Sequence, residues 1–250
     1  MDSIRSFVRI PVGLTILLFI VMVASSGSFA QTASQEYEYG MDNEYLGYYD
    51  DAVESFTRAI DLDPNFQKAY YERAYSYNEL ENYGNAVADA AKAIELDSSD
   101  PYPYYERGYA NSRLYNYDQA LYDFTNAITL KPDYSAAYTE RAYVYYNQQN
   151  YDQAIADCNK AIEINPKDGY AYQYRGYAYG RMGNDAQEIA DETSAIEMVS
   201  SPGWAYVARA QAYERQGQYN KAWADVHKAQ DHGITVYQDL IDRLNNETSQ

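Results

Sequence analysis

Few side chains in this sequence could act as nucleophiles or metal ligands. There is one cysteine, Cys158, and there are two histidines, His227 and His232. The histidines are five residues apart, so they do not share a helix face as paired metal ligands would. Acidic pairs such as Asp61 and Asp63 lie at predicted helix ends, where they are typical of solvated turns. No nucleophile comes with a base and an orienting group, so we expect no catalytic residue, no metal site, no cofactor and no enzyme activity.

Tyrosine and acidic residues dominate the composition. The 250 residues include 32 tyrosines, and 37 acidic against 19 basic side chains give a formal net charge of −18. Because phosphate binding requires a basic surface, this balance argues against nucleic acid as a partner. Tyrosine combines a wide contact area and few rotatable bonds with a hydroxyl that can form hydrogen bonds. The side chains therefore favour non-covalent binding over catalysis, and we interpret Cys158 as a buried core residue.

Residues 1–30 have the layout of a secretory signal peptide. Arg5 and Arg9 precede an apolar run over residues 10–24, and the small residues Ser28 and Ala30 follow it. We expect cleavage after Ala30 and a mature chain that is secreted, periplasmic or in the cell envelope. The alternative is an uncleaved membrane anchor with the rest of the chain outside the cytosol, although ~15 apolar residues are few for a span. Membrane contact is expected only through residues 1–30, if they are retained.

The remaining sequence repeats every 34 residues. One column of this repeat is alanine throughout: Ala59, Ala93, Ala127, Ala161, Ala195 and Ala229. Another column is small throughout: Gly40, Ala74, Gly108, Ala142, Gly176 and Ala210. Each period reads as two helices joined by a short polar turn, and prolines such as Pro64 and Pro132 end the second helix. The small residues are expected to let the helices approach closely.

This unit resembles the tetratricopeptide repeat. The match includes the turn tyrosines Tyr83, Tyr117, Tyr151 and Tyr219 and the second-helix aromatic residues Phe56 and Phe124. The resemblance implies an all-α fold, a right-handed superhelical solenoid of six helix pairs plus a C-terminal capping helix. The solenoid would span residues 31–234, with repeats at about 33–66, 67–100, 101–134, 135–168, 169–202 and 203–234. Residues 235–250 would form the capping helix and tail, because an open solenoid needs a polar-backed end.

A column of arginines and a column of aspartates accompany each other through five repeats. The arginines are Arg73, Arg107, Arg141, Arg175 and Arg209, and the aspartates are Asp89, Asp123, Asp157, Asp191 and Asp225. The first repeat lacks both, since it has Tyr39 and Ser55 at these places. Loss of both partners together indicates that they pair, and a guanidinium can hold a carboxylate through two parallel hydrogen bonds. We predict structural ion pairs with nitrogen–oxygen contacts within ~4 Å.

The resemblance also implies that the first helices line a concave face. On this basis the predicted ligand groove consists of Tyr71, Tyr75, Tyr105, Tyr109, Arg113, Tyr143, Tyr146, Tyr177 and Trp204. The charged residues of the lining are Lys68, Arg113, Arg181 and Arg215 against Glu44, Glu79 and Glu214, a net charge of 4 − 3 = +1. The groove would thus be aromatic and nearly neutral. The alternative is that these tyrosines stack between repeats and only fill the wall.

The predicted function is that of a non-enzymatic scaffold. It would bind an extended peptide or partner segment in the tyrosine-lined groove, outside the cytosol, because exposed aromatic surface usually marks a contact site. The alternative is a glycan- or exopolysaccharide-associated envelope factor that stacks sugar rings on the same aromatic side chains.

The fifth repeat departs from the pattern. Glu188 replaces a packing alanine, and Asp185 replaces the turn tyrosine. Because a glutamate does not tolerate full burial without a partner, we expect local irregularity over residues 184–203.

Overall fold

The computed structural model describes residues 31–248, and the predicted signal peptide or anchor at 1–30 lies outside this range. Within it the chain is all-α. The first helices of six successive pairs are α1 (Ala33–Tyr45), α3 (Gln67–Glu79), α5 (Pro101–Arg113), α7 (Ser135–Asn147), α9 (Gly169–Arg181) and α11 (Gly203–Arg215). The second helices are α2 (Tyr49–Leu62), α4 (Tyr83–Leu96), α6 (Tyr117–Leu130), α8 (Tyr151–Ile164), α10 (Asp185–Met198) and α12 (Tyr219–Asp231). The last helix is α13 (Gln238–Thr248).

The helices stack as a solenoid. Each second helix packs against the first helix of its own pair, and the second helices of the first five pairs also pack against the first helix of the next pair. Successive first helices also contact each other, and within residues 31–248 no two second helices make comparable contact. The layers are therefore closer together on the first-helix side, which makes that side concave. The predicted solenoid of six helix pairs with a capping helix is the fold observed.

The repeated small residues have the packing role expected of them. The alanines of the column that begins at Ala59 are fully buried. A Cβ atom added at Gly108 would come within 2.9 Å of the Phe124 ring, so the first and second helices of that pair meet at van der Waals distance only without a side chain there. Cys158 is also fully buried, as interpreted, and burial raises the pKa of its thiol.

The arginine–aspartate pairs join the two helices of five repeats. In each, Nε and Nη2 of the arginine donate to the two carboxylate oxygens at 2.6–3.0 Å, as in Arg141 with Asp157 at 2.7 and 2.8 Å. The contacts predicted from the sequence are thus present in all five. Each guanidinium also lies over the ring of the tyrosine three residues earlier, at 5.4–5.9 Å. This places that tyrosine column in the packing between helices.

The C-terminal helix closes the end of the stack. Leu240 and Leu244 of α13 are fully buried and pack in one cluster with Val226 and Ala229 of α12. The exposed side of α13 carries charged residues such as Asp239, which accepts a hydrogen bond from Arg243. None of the helices in residues 31–248 is long and apolar enough to cross a membrane.

The prediction of local irregularity in the fifth repeat is wrong. Helix α10 is regular over 14 residues, and Glu188 is only 4 % exposed within it. Glu188 tolerates burial because it has a partner: Arg215, from the next repeat, donates a hydrogen bond to its carboxylate. Gly180 makes the necessary space, since a Cβ atom there would be 2.5 Å from the Glu188 carboxylate.

Candidate ligand pocket

A pocket of about 620 Å³ lies across the first helices of the last three pairs. Helices α7, α9 and α11 form its walls, and the segment before α13 closes one side. The residues that line it are Tyr146, Tyr177, Gly180, Arg181, Glu188, Trp204, Val207, Ala208, Gln211, Arg215 and Tyr237. The volume is in the range of sites that bind small molecules or enclose side chains of a partner.

Two pairs of aromatic rings line this pocket. Tyr146 and Tyr177 are tilted against each other with ring centroids 5.9 Å apart. Trp204 and Tyr237 form a second tilted pair at 6.1 Å. Trp204 is 45 % exposed and Tyr237 is 53 % exposed, so their rings present apolar surface that the protein itself does not cover. Such surface binds flat or aliphatic groups through area burial and ring contacts.

Arg215 and two acidic residues form an ion-pair network at one end of the pocket. The Nε atom of Arg215 donates to Asp185 Oδ1 at 2.6 Å, and its Nη2 atom donates to Glu188. Burial raises the pKa of Glu188 to about 7, and the neighbouring guanidinium of Arg215 partly opposes this shift. Both partners come from the repeat before Arg215, so the network also fixes the packing of α10 against α11.

Glu192, one helical turn after Glu188, is a second buried acid. It is fully buried, and neither carboxyl oxygen has a hydrogen-bond partner. Burial raises its pKa well above the usual value for glutamate, and the charges of Glu188 and Asp191 add to this effect. Burial therefore disfavours the charged form of Glu192.

Arg181 is at the pocket on the aromatic side. Its Nε atom donates a hydrogen bond to the Tyr146 hydroxyl at 3.3 Å. The side chain is exposed, and no carboxylate among residues 31–248 forms a salt bridge with it. The pocket therefore presents one guanidinium whose other N–H donors are not used by an acidic residue of the described chain.

Three residues of the predicted groove line this pocket, namely Tyr146, Tyr177 and Trp204. The other six lie in the wall elsewhere and are half-buried between repeats. Arg113 is held between the rings of Tyr109 and Tyr143, at 4.5 and 4.9 Å from their centroids, and it contacts Glu140 at 3.4 Å. In these contacts the side chains pack on one another, which is the arrangement of the alternative in which the tyrosines stack between repeats.

The tyrosines nearer the N-terminus are engaged in similar packing. Tyr71 is stacked on Tyr102 with centroids 5.8 Å apart and an interplanar angle of 27°. The ring of Tyr75 meets Tyr49 edge-on at 6.1 Å. The ring of Tyr105 packs against two others, with its centroid 5.0 Å from that of Tyr134 and 5.9 Å from that of Phe124. A ligand role for these three tyrosines stays a prediction.

Glu188 and Tyr237 are among the pocket residues that were absent from the predicted groove lining. Glu188 was interpreted as a disruption of its repeat, and Tyr237 precedes the capping helix, outside the repeated columns. The sequence does indicate the two arginines of the pocket, because Arg181 and Arg215 occupy the same column of the 34-residue repeat as Arg113. No comparable periodic signal points to Tyr237. Within residues 31–248 no three histidine, cysteine or acidic side chains are grouped to hold a metal ion.

Comparison with known structures supports the fold at several levels of similarity. A structure of MamA protein superposes with a TM-score of 0.58 at 25 % identity and covers 66 % of this chain and 91 % of that chain. The APC/C hetero-tetramer Cut9–Hcn1 gives a TM-score of 0.79 at 17 % identity, covering 94 % of this chain and 46 % of that chain. YrrB, described as a TPR protein with an unusual peptide-binding site, gives a TM-score of 0.54 at 20 % identity, with 66 % and 86 % covered.

Sequence comparison identifies the repeat directly. Models of the tetratricopeptide repeat match residues 40–101, 135–168 and 158–190. No curated protein sequence matches the chain significantly. The matched segments fall within the stacked helix pairs described above, and the period of 34 residues is that of this repeat. The chain therefore contains tetratricopeptide repeats, arranged in an all-α solenoid.

Proposed function

We propose that this protein is a non-enzymatic scaffold that binds an extended segment of a protein partner along its first-helix face. The observation that carries the proposal is the pocket across α7, α9 and α11, where the rings of Trp204 and Tyr237 are about half exposed. Tetratricopeptide repeats generally bind protein or peptide partners, and a concave face several repeats long suits an extended chain. The aromatic pocket would receive side chains of that segment.

The proposal includes a location outside the cytosol. Its support is the sequence of residues 1–30, where Arg5 and Arg9 accompany an apolar run that ends in small residues. Secretion, the periplasm and the cell envelope all satisfy this arrangement, as does an uncleaved anchor.

Affinity capture from an extract of the source cells tests the function. The purified protein is compared with a Tyr177→Ala/Trp204→Ala variant, and bound material is identified by mass spectrometry. Tyr122→Ala is the matched control, because Tyr122 is 60 % exposed on the second helix α6, away from the pocket. We expect the double variant to lose a protein partner that the wild type and the control both retain.

Pretreatment of the extract separates protein from glycan partners. Digestion with a protease should abolish capture, and periodate, which cleaves the vicinal diols of sugars, should leave it unchanged. Equal recovery by all three proteins would refute the role of the pocket. Loss of capture with periodate but not with protease would favour the glycan alternative.

A further inference from the structure

Arg181 differs from every other arginine in residues 31–248. Each of the others has a carboxylate within salt-bridge distance: Arg58, Arg73, Arg107, Arg113, Arg141, Arg175, Arg209, Arg215 and Arg243. In a chain with 37 acidic and 19 basic residues, an arginine without a salt bridge is an exception, and the charge of Glu188 acts on Arg181 only from beyond that distance. The exception occurs at the pocket.

The charge of the pocket is positive or neutral rather than negative. Its guanidiniums are those of Arg181 and Arg215, and its lining acid is Glu188, which is buried and bonded to Arg215. Asp185 also contacts Arg215, so the two acids that approach the pocket are both engaged by one arginine. Glu192 on the same helix is fully buried, and burial raises its pKa well above the usual value for glutamate. A cationic ligand group would meet two guanidiniums and no unengaged carboxylate among the described residues.

The geometry suits a carboxylate with apolar neighbours. A guanidinium is planar and can donate two parallel hydrogen bonds to one carboxylate, and Arg181 uses Nε on the Tyr146 hydroxyl. The volume of about 620 Å³ is larger than one acidic side chain, so the walls formed by Trp204 and Tyr237 can also cover an adjacent apolar side chain. At physiological salt, repulsion from acidic residues more than about 8 Å away is largely screened, so a ligand carboxylate in the pocket meets mainly the charges of Arg181, Arg215 and Glu188.

We propose that the pocket anchors an internal aspartate or glutamate of the bound segment on Arg181, with a neighbouring apolar side chain packed against Trp204 and Tyr237. This inference rests on the proposed function and adds to it the chemical class of the ligand. The acidic residue is recognised within the segment, and no terminal carboxylate is needed.

Selection from a random peptide library tests the proposal. The peptides are displayed at the N-terminus of a phage coat protein, so that none has a free C-terminal carboxylate. The baits are the wild type, Arg181→Ala, Arg181→Glu and the matched control Lys167→Ala, which removes an exposed positive charge from the turn before α9. We expect aspartate and glutamate to be enriched by the wild type and by the control. Arg181→Ala should lose this preference, and Arg181→Glu should shift it toward lysine and arginine.

The outcomes separate the two proposals. Peptides enriched without an acidic residue, or with the same acidic residue on Arg181→Ala, would overturn the inference and leave the proposed function standing. Failure of every bait to enrich a peptide would overturn both. Because Arg181 is exposed and forms no salt bridge in residues 31–248, its replacement should leave the helical circular dichroism unchanged.

A double-mutant cycle gives the quantitative test. The best peptide is synthesised with blocked ends, and its acidic residue is replaced by glutamine or asparagine. Each single change, in the peptide or as Arg181→Ala, should weaken binding ~10- to 100-fold, as expected for a hydrogen bond between charged groups. The two changes together should cost little more than one, because both remove the same contact. Additive losses would show that the acidic residue binds elsewhere.

Discussion

At the scale of single residues, the turn inside each repeat requires a positive φ at one position, and only some of the repeats have glycine there. The residue two positions before the second helix has a positive φ in all six repeats. Gly47, Gly183 and Gly217 adopt φ of 68–77°, which glycine does without strain. The same position is Glu81, Tyr115 and Gln149 in the middle repeats, with φ of 56–63°. An L-residue in this left-handed region is strained by about 1 kcal/mol.

Replacing one of these residues by glycine should stabilise the protein. We expect Gln149→Gly to raise the free energy of unfolding by about 0.5–1 kcal/mol, since the strain at φ 63° disappears and exceeds the added chain entropy. Urea denaturation followed by circular dichroism measures the change. Gln149→Ala is the control, because it removes the same side chain and keeps the Cβ atom. A gain as large with alanine would contradict the explanation.

At the scale of helices, each arginine of the ion-pair column holds more than one contact. Arg141 pairs with Asp157 on the partner helix, and its Nη1 atom also donates to Thr125 of the preceding repeat at 3.1 Å. The corresponding acceptors for three other arginines are Thr57, Asn159 and Thr193. The second repeat has Ala91 at this position, so Arg107 of the third repeat lacks that link. One guanidinium thus fixes the register of three helices in four of the repeats.

Removing one partner of these ion pairs should lower the free energy of unfolding far more than removing one partner of an exposed pair. Asp157→Ala leaves the guanidinium of Arg141, only 15 % exposed, without its carboxylate, and should lower the free energy of unfolding by about 3 kcal/mol. Glu163→Ala on the same helix removes an exposed pair with Lys160 and should leave the urea midpoint unchanged. Equal effects of the two substitutions on the midpoint would show that the buried pair has no special role.

At the scale of the whole molecule, buried and half-buried carboxyl groups link successive first helices. Glu44 accepts a hydrogen bond from Ser76 at 2.5 Å, Glu72 from Tyr37 at 3.2 Å, and Glu106 from Asn78 at 2.7 Å. Burial raises the pKa of Glu44 and of Glu106 to about 8, and that of Glu72 to about 7. These groups and Glu188 therefore keep protons that the unfolded chain releases above pH 4.5.

Stability should consequently fall as the pH rises from about 4.5 to about 8. Over this interval the folded protein binds more protons than the unfolded chain, and the free energy of unfolding decreases with pH wherever that holds. We expect a lower urea midpoint at about pH 8.5 than at about pH 5.5. Glu106→Gln keeps an acceptor for Asn78 without the titration, so its decrease should be smaller. Glu163→Gln, an exposed control, should behave as the wild type, and a midpoint that rises over this range would contradict the assignment.

The sequence by itself determined the architecture. A strict period of 34 residues, small residues in fixed columns and prolines after the second helix dictate helix pairs that stack, because these features act within one unit and its neighbour. The pairing of Arg73 with Asp89 and its four equivalents could also be predicted, since the first repeat lost both partners at once.

Only the tertiary structure decided which side chains remain available to a ligand. Tyr109 and Tyr177 occupy the same column of the period, yet the ring of Tyr109 packs on Arg113 and Tyr177 lines a pocket. The pairing of Glu188 with Arg215 rather than Arg181, and the approach of Tyr237 to Trp204, depend on side chains from several repeats and the cap. Such contacts depend on which rotamers the side chains adopt once the repeats are stacked, and the repeat pattern of residue types does not specify those rotamers.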